Sequence, residues 1–194
     1  MNPRAIEQPG QWEDLRTAFR WRIPPDVTIA KACCDVWAAV EPDRVAIIHI
    51  GEAGVGRWTY GDLKRASDRF ANALRARGVG RGDRVAILLP QCPEVMIAHF
   101  AAMKLGAIVL PLFTLFGSDA LAFRLSDSGA KAVVTDAENL GKVLALKPDL
   151  PELAEIYSTG AASASVRGLW SDIESASSVL APEPVGAEDP AILI

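Results

Sequence analysis

The chain has 194 residues, half of them hydrophobic, with 20 Lys and Arg against 24 Asp and Glu and a formal net charge of −4, values ordinary for a globular domain that buries one substantial core. That balance leaves no positive field to condense on a nucleic-acid backbone or an anionic lipid surface, so neither nucleic acid nor membrane is an expected partner. The longest apolar stretch, Leu105 to Phe116, is interrupted by Gly106, Pro111 and Thr114 and falls short of the roughly 20 residues a spanning helix needs, so it reads as buried strand and loop.

Residues 1–24 are polar and Pro-punctuated, with an amphipathic piece near Trp12, Leu15 and Phe19, and read as an arm packed on the outside of a domain covering residues 25–194. Glu7, Glu13 and Asp14 and the lack of an apolar core near Met1 argue against a signal or transit peptide, which points to a cytoplasmic protein. Asp26 or Thr28 can cap a helix over Ile29 to Val40 that ends at Glu41-Pro42, because proline disfavours helical geometry in the residue before it. The runs Val45 to Ile50 and Arg57 to Thr59 flank a Gly-rich segment and form a hairpin; a phosphate loop would pass from strand to helix instead.

Thr59 and Asp62 have the spacing of a capping box. Leu63, Ala66, Phe70, Ala73, Leu74 and Arg77 then recur at three- and four-residue intervals, which predicts a helix with one core-facing stripe and with Lys64, Arg65, Asp68 and Arg69 solvated. Gly78 is the expected left-handed terminator, and residues 78–83 turn the chain into a strand over Arg84 to Leu89. Helices over Pro93 to Leu105, Ser118 to Leu125 and Glu138 to Leu146 alternate with strands over Ala107 to Leu110, Lys131 to Thr135 and Glu155 to Ser158. Such alternation demands crossovers, and right-handed crossovers give a doubly wound, mostly parallel sheet with helices on both faces. Thr159 to Gly168 reads as a flexible connection and Leu169 to Ile173 as a short helix. The Pro-rich stretch to Glu188 reads as an exposed linker that delivers Ala191 to Ile194 to the sheet.

Few side chains suggest chemistry of their own. Cys33, Cys34 and Cys92 form no CxxC or Cys/His ligand set and read as reduced structural thiols. His49 and His99 have no partner at metal-ligand spacing, so no metal site is expected. Ser158-Thr159-Gly160 is not a nucleophile elbow.

Three blocks carry a family likeness: WTYGDLKRASDRFANALRARG (58–78), VGRGDRVAILLPQCPEVMIAHFAAMKLGAIVLPL (79–112) and FGSDALAFRLSDSGAKAVVTD (116–136). In order and spacing they resemble the front of AMP-forming acyl-CoA synthetases of the adenylate-forming superfamily. The run Glu188 to Ile194 is similar to the one that precedes that family's ATP phosphate loop. The resemblance implies an incomplete amino-terminal domain of an enzyme that uses ATP and Mg2+ to convert a carboxylate into an acyl-adenylate and passes the acyl group to coenzyme A, a ligase of the kind that serves fatty acid metabolism. It implies that the phosphate loop, metal-binding acid and catalytic Lys lie outside these residues, so no catalytic residue is assigned and the chain alone is expected to be inactive and to hold no cofactor tightly. By the same resemblance Phe113, Thr114 and Leu115 lie near the coenzyme A channel and Lys142 near the coenzyme's 3′-phosphate. Thr114 and Leu115 stand where acetyl-CoA synthetases show two small glycines, which leaves medium-chain or aryl carboxylates open. The competing reading is a non-catalytic Rossmann-like binding or interaction module; a flavodoxin-like or nicotinamide-binding protein would need a glycine fingerprint directly after a strand.

Overall fold

Before the main sheet begins, the chain builds a small layer of its own. The computed structural model describes residues 12–20, 24, 27–51, 54–160 and 162–194. Asp26 and the Glu52-Ala53 pair of the hairpin turn lie outside the described residues, as does most of the amino-terminal arm. Helix α1 (Trp12–Ala18) leaves Trp12 69% exposed, so that apolar ring is not buried against the domain. The helix expected over 29–40 forms, with a π-helical turn at Lys31–Asp35 running into α2 (Val36–Val40), and Thr28 Oγ1 accepts the Lys31 amide hydrogen at 3.1 Å. Strands β1 (Val45–Gly51) and β2 (Gly54–Thr59) pair antiparallel as the predicted hairpin.

Helix α3 (Tyr60–Ala76) starts where the capping box requires: Thr59 Oγ1 accepts from the Asp62 amide and an Asp62 carboxylate oxygen from the Thr59 amide, both at 3.1 Å. Those bonds, with Arg65 beside them, hold the Asp62 carboxyl below the usual carboxylate range. At the other end Gly78 takes φ +78°, a conformation that strains any residue with a Cβ, and the chain turns toward the sheet.

Runs that are apolar at every position can be buried only between two layers. Strand β3 (Arg84–Leu88), helix α4 (Pro93–Lys104), β4 (Ile108–Pro111), α5 (Ser118–Ser128), β5 (Ala132–Thr135), α6 (Ala137–Leu146), β6 (Glu155–Ser158), β7 (Arg167–Gly168) and α7 (Leu169–Ser175) follow in turn. The five strands form one parallel sheet in the order β4-β3-β5-β6-β7. Val85, Ile87, Val134 and Tyr157 pack toward α3, α4 and α7, while Ala86, Leu88, Val133 and Ile156 pack toward α5 and α6. The doubly wound architecture read from the alternation is the one observed. Strand β7 falls inside the stretch expected to be a flexible connection; it is two residues long and held by main-chain pairing to Tyr157 and Ser158, a register that side-chain periodicity does not reveal.

Residues beyond α7 return along α3 as a strap without regular structure. Its prolines cannot donate to a ladder, so side chains of the domain supply donors to its carbonyls: Asn72 to Ser177 and Val179 at 2.7 and 3.0 Å, and Arg75 to Ala181 at 2.7 Å. Arg81 closes on both carboxylate oxygens of Asp189 at 2.9 and 2.7 Å. The strap delivers Ile192 to a parallel bridge with Val109, with the Val109 amide donating to Ala191 and the Leu193 amide to Val109, both at 2.9 Å. The terminal residues thus reach the sheet at its β4 edge, as the sequence suggested.

Two expectations for α3 are corrected. Arg77, counted with the apolar stripe, is exposed at the helix end. Asp68, expected in solvent, is 3% exposed, and the reason lies on another helix. The Lys104 ammonium of α4 is itself buried and donates to Asp68 at 2.6 Å and Ser67 Oγ at 2.9 Å, while Asp35 of the π-helical turn lies 2.8 Å away as a second ion-pair partner. Lys64 pairs with the other Asp68 oxygen. Removing one member of such a cluster leaves an uncompensated buried charge. Asp68→Ala and Lys104→Met are therefore each expected to destabilise the chain by about 3–5 kcal/mol, read as a shift of the urea unfolding midpoint at unchanged slope; a loss below about 1 kcal/mol, the range of an exposed pair, would contradict the buried-cluster account.

Candidate functional site

In an open α/β sheet, ligands sit outside the carboxyl ends of the strands where successive connections leave in opposite directions. Here the β3 to β4 connection runs to one side and the β4 to β5 connection returns to the other, so that point lies between β3 and β5. Three segments follow the strand ends at this face: Leu89 to Cys92 after β3, Leu112 to Gly117 after β4, and Asp136 after β5.

The segment after β4 is a tight turn. The Phe116 amide donates to the Phe113 carbonyl at 3.0 Å, which puts Thr114 and Leu115 at its centre, and the Leu112 amide anchors it to Ile87 of β3 at 2.9 Å. Phe113 packs edge-on against Phe116, with ring centroids 5.7 Å apart, and the Arg124 guanidinium covers the Phe116 ring at 4.2 Å. Phe113 and Leu115 are nevertheless 72% and 92% exposed. The expectation that the whole stretch to Phe116 is buried strand and loop is corrected for these two side chains, which a turn projects away from the layer beneath.

Lys142 on α6 reaches this turn. Its ammonium donates to the Thr114 carbonyl at 2.8 Å and to Asn139 Oδ1 at 2.9 Å. Asn139 is 5% exposed and held in turn by Asp136, whose Oδ1 accepts from the Asn139 amide at 2.8 Å and from its side-chain nitrogen at 2.9 Å. The structure therefore brings together the residues named from the sequence, Phe113, Thr114, Leu115 and Lys142, although they come from two different crossovers. Asp136 and Asn139 were missed as parts of this set; the signal for them was the N-cap spacing at the start of α6.

The remaining groups at this face are chemically quiet. Cys92 occupies the N-cap of α4 but makes no capping bond, and burial together with the Glu94 carboxylate pushes its thiol up to about 12. His99 donates to the Val95 carbonyl at 2.7 Å, and burial holds its imidazole below the ordinary value. The N-terminus of α6 is already filled by the Asp136 carboxylate, and Pro93 gives α4 no amide hydrogen at its first position. Thr135 Oγ1, buried at the end of β5, has no hydrogen-bond partner among the described residues, and a lone hydroxyl is no triphosphate cradle. Among the described residues no group of three His, Cys, Asp or Glu side chains could hold a metal ion. These residues do not fit Mg-ATP, and no step is assigned to them through it. An apolar cleft of about 360 Å3, bordered by Cys33, Met103 and Gly106, lies instead at the amino end of β4, and its one acid, Asp189, is committed to Arg81.

Residues 34–194 match the profile of the AMP-binding enzyme family. Acetyl-coenzyme A synthetase of Penicillium chrysogenum is 35% identical over 192 residues, covering 90% of this chain and 29% of that protein. The acetyl-coenzyme A synthetase of Shewanella sp. (strain W3-18-1) is 34% identical over 203 residues, covering 94% of this chain and 31% of its own length. Among solved structures, a Brucella canis acyl-CoA synthetase superposes with a TM-score of 0.80 at 27% identity, over 93% of this chain and 35% of that one. An anthranilate CoA ligase, AuaEII, in complex with anthranoyl-AMP superposes at 0.77 with 20% identity, over 88% of this chain and 32% of its own, a likeness of fold alone. The chain spans about a third of the length of the relatives it matches.

The thiols give a test of the quiet site. Cys33 is exposed, whereas burial pushes Cys34 up to about 11 and Cys92 to about 12. At pH 8, iodoacetamide followed by peptide mapping is expected to label Cys33 first, with Cys34 and Cys92 slower by on the order of 100-fold. Rapid labelling of Cys92 would mark it as an activated thiol and refute the assignment.

Proposed function

The chain belongs to the AMP-binding enzyme family, and from that premise we propose that it is part of an AMP-forming acyl-CoA synthetase acting on a small-molecule carboxylate in the cytoplasm. In the proposed reaction a carboxylate oxygen bonds to the α-phosphorus of ATP as pyrophosphate leaves. The thiol sulfur of coenzyme A then bonds to the acyl carbon as AMP leaves. Magnesium would neutralise the phosphate charge during the first step. The residues described here supply the sheet and the turn that follows β4, and the phosphate chemistry is assigned to parts of the enzyme other than these.

The observation that carries the proposal is the family match over residues 34–194 together with the superposition on an acyl-CoA synthetase at a TM-score of 0.80. The relatives quoted above bear the acetate name, but Thr114 and Leu115 stand where the family resemblance implies two small glycines for acetate enzymes. The proposal accordingly names a carboxylate and not acetate. Among the described residues no helix is long and apolar enough to cross a membrane.

For coenzyme A, the site proposed is the turn of Phe113, Thr114 and Leu115 with Lys142 beside it, an apolar surface next to an ammonium group. That pairing suits a thiol arm carried on an anionic nucleotide. Two measurements test these assignments. Carboxylate-dependent exchange of labelled pyrophosphate into ATP should give no signal with the 194-residue chain, and clear exchange would overturn the placement of the phosphate chemistry elsewhere. Titration of the isotopically labelled chain with coenzyme A should shift the amide resonances of residues 113–116 and 142 at millimolar ligand, a regime about 4 kcal/mol deep; shifts confined to other regions would remove the turn from the thiol site.

A further inference from the structure

The candidate site leaves one contact unexplained: the flexible, cationic side chain of Lys142, bonded to Asn139 on its own helix, also reaches across to a main-chain carbonyl of an exposed turn. We propose that Lys142 is a positioning residue, whose ammonium clamps the Thr114 carbonyl and so fixes the Phe113–Phe116 turn across the carboxyl end of the sheet. This rests on the acyl-CoA synthetase reading and deepens it, because it gives the lysine a role distinct from that of a phosphate ligand.

The turn has little else to hold it. Its own bond, Phe116 amide to Phe113 carbonyl at 3.0 Å, closes the turn but does not orient it. Leu112 and the Arg124 to Phe116 contact secure its two ends. At the middle, Thr114-Leu115, the hydrogen bond that ties the turn to the rest of the domain comes from α6, by Lys142 at 2.8 Å. A lysine left free would sweep many rotamers. This one is immobilised at both ends of a relay, since Asn139 Oδ1 accepts from the same ammonium at 2.9 Å while Asp136 holds the Asn139 amide group at 2.9 Å. The relay runs from the N-cap of α6, itself fixed to the end of β5, so the turn's position is referred to the centre of the sheet. A charged donor on a carbonyl is stronger than a neutral one. With two of its three hydrogens so committed, the ammonium has one left to offer a ligand.

The consequence concerns the apolar side chains. Because the clamp takes the carbonyl of Thr114, the residues on either side, Phe113 and Leu115, are held outward with 72% and 92% of their surface exposed. Without it they would be free to fold back on the apolar surface of the domain. The side chain of Thr114 plays no part in the contact.

Amide hydrogen exchange on the ligand-free chain tests this. In Lys142→Met the peptide covering residues 112–117 should exchange about tenfold faster than in the wild type, with exchange elsewhere and the melting temperature essentially unchanged. Lys142→Arg, which keeps a multiple donor of similar reach, and Thr114→Ala, which keeps the carbonyl, should both exchange at the wild-type rate. Lys142→Gln should fall between and decides the matter should the Met variant not fold. Wild-type exchange in both Lys142→Met and Lys142→Gln, or a Thr114→Ala variant as loose as Lys142→Met, would overturn the proposal. So would a Lys142→Met variant whose turn stays protected while its binding of coenzyme A, used as the probe, is lost. Absence of any coenzyme A effect on any variant would count against the thiol-site reading alone and leave the exchange comparison intact.

Discussion

A parallel sheet has no face it can show to water, and the rest of this structure follows from that constraint. Strands β3, β4 and β5 are short and apolar on both sides, so the crossovers that join them, and the one from β5 to β6, each bring a helix back over one face or the other. Alternate residues of the same strand, Val85 against Ala86 or Val134 against Val133, belong to different cores on the two sides of the sheet. The β3 to β4 connection covers one face and the β4 to β5 connection the other, and their divergence opens the crevice at the strand ends. The site's location is thus a by-product of covering the sheet.

Covering the face under α3 and α4 brings charge into the interior. Lys104 ends α4 where that helix packs closely on α3, and its ammonium cannot reach water. The fold answers with three oxygens from two elements: Asp68 and Ser67 on α3 and Asp35 on the π-helical turn. The result is a clamp that ties the segment before the hairpin to the main domain. An apolar contact could supply similar energy, but it would not specify which turn of one helix meets which turn of the other.

These two levels were unequally legible in the sequence. Strands β3 to β6 and helices α3 to α6 are written in local signals: the capping box at Thr59 and Asp62, the left-handed glycines at Gly78 and Gly106, and apolar runs of strand length. Asp68 was misread because its neighbours Lys64, Arg65 and Arg69 describe a solvated face, and its partner Lys104 lies 36 residues away. No periodicity connects them. Strand β7 escaped for a related reason, since its pairing to β6 is made by backbone atoms in a Gly- and Ser-rich stretch. The candidate site residues were reached by family resemblance, which gave the positions but not the contacts among them; that Lys142 touches Thr114 follows only from the packing of α6 beside the turn after β4.

The electrostatics of the site follow from what the helix ends already hold. An empty helix N-terminus beside the crevice would attract phosphate. At α6 that potential is satisfied internally by Asp136, and the same carboxylate aligns Asn139, which aligns Lys142. The positive charge available at this face is therefore moved outward from the helix end, along one turn of α6, to a lysine seated beside an apolar turn. A ligand drawn there meets Phe113 and Leu115 together with the partly committed Lys142 ammonium, the Arg124 guanidinium being laid over the Phe116 ring and bonded to the Ala120 carbonyl. That combination favours a long arm with an anionic end over a compact polyphosphate, which would need several converging donors. The division of labour proposed for the enzyme, thiol arm near this turn and triphosphate elsewhere, thus rests on a helix end already satisfied by its own carboxylate as well as on family likeness.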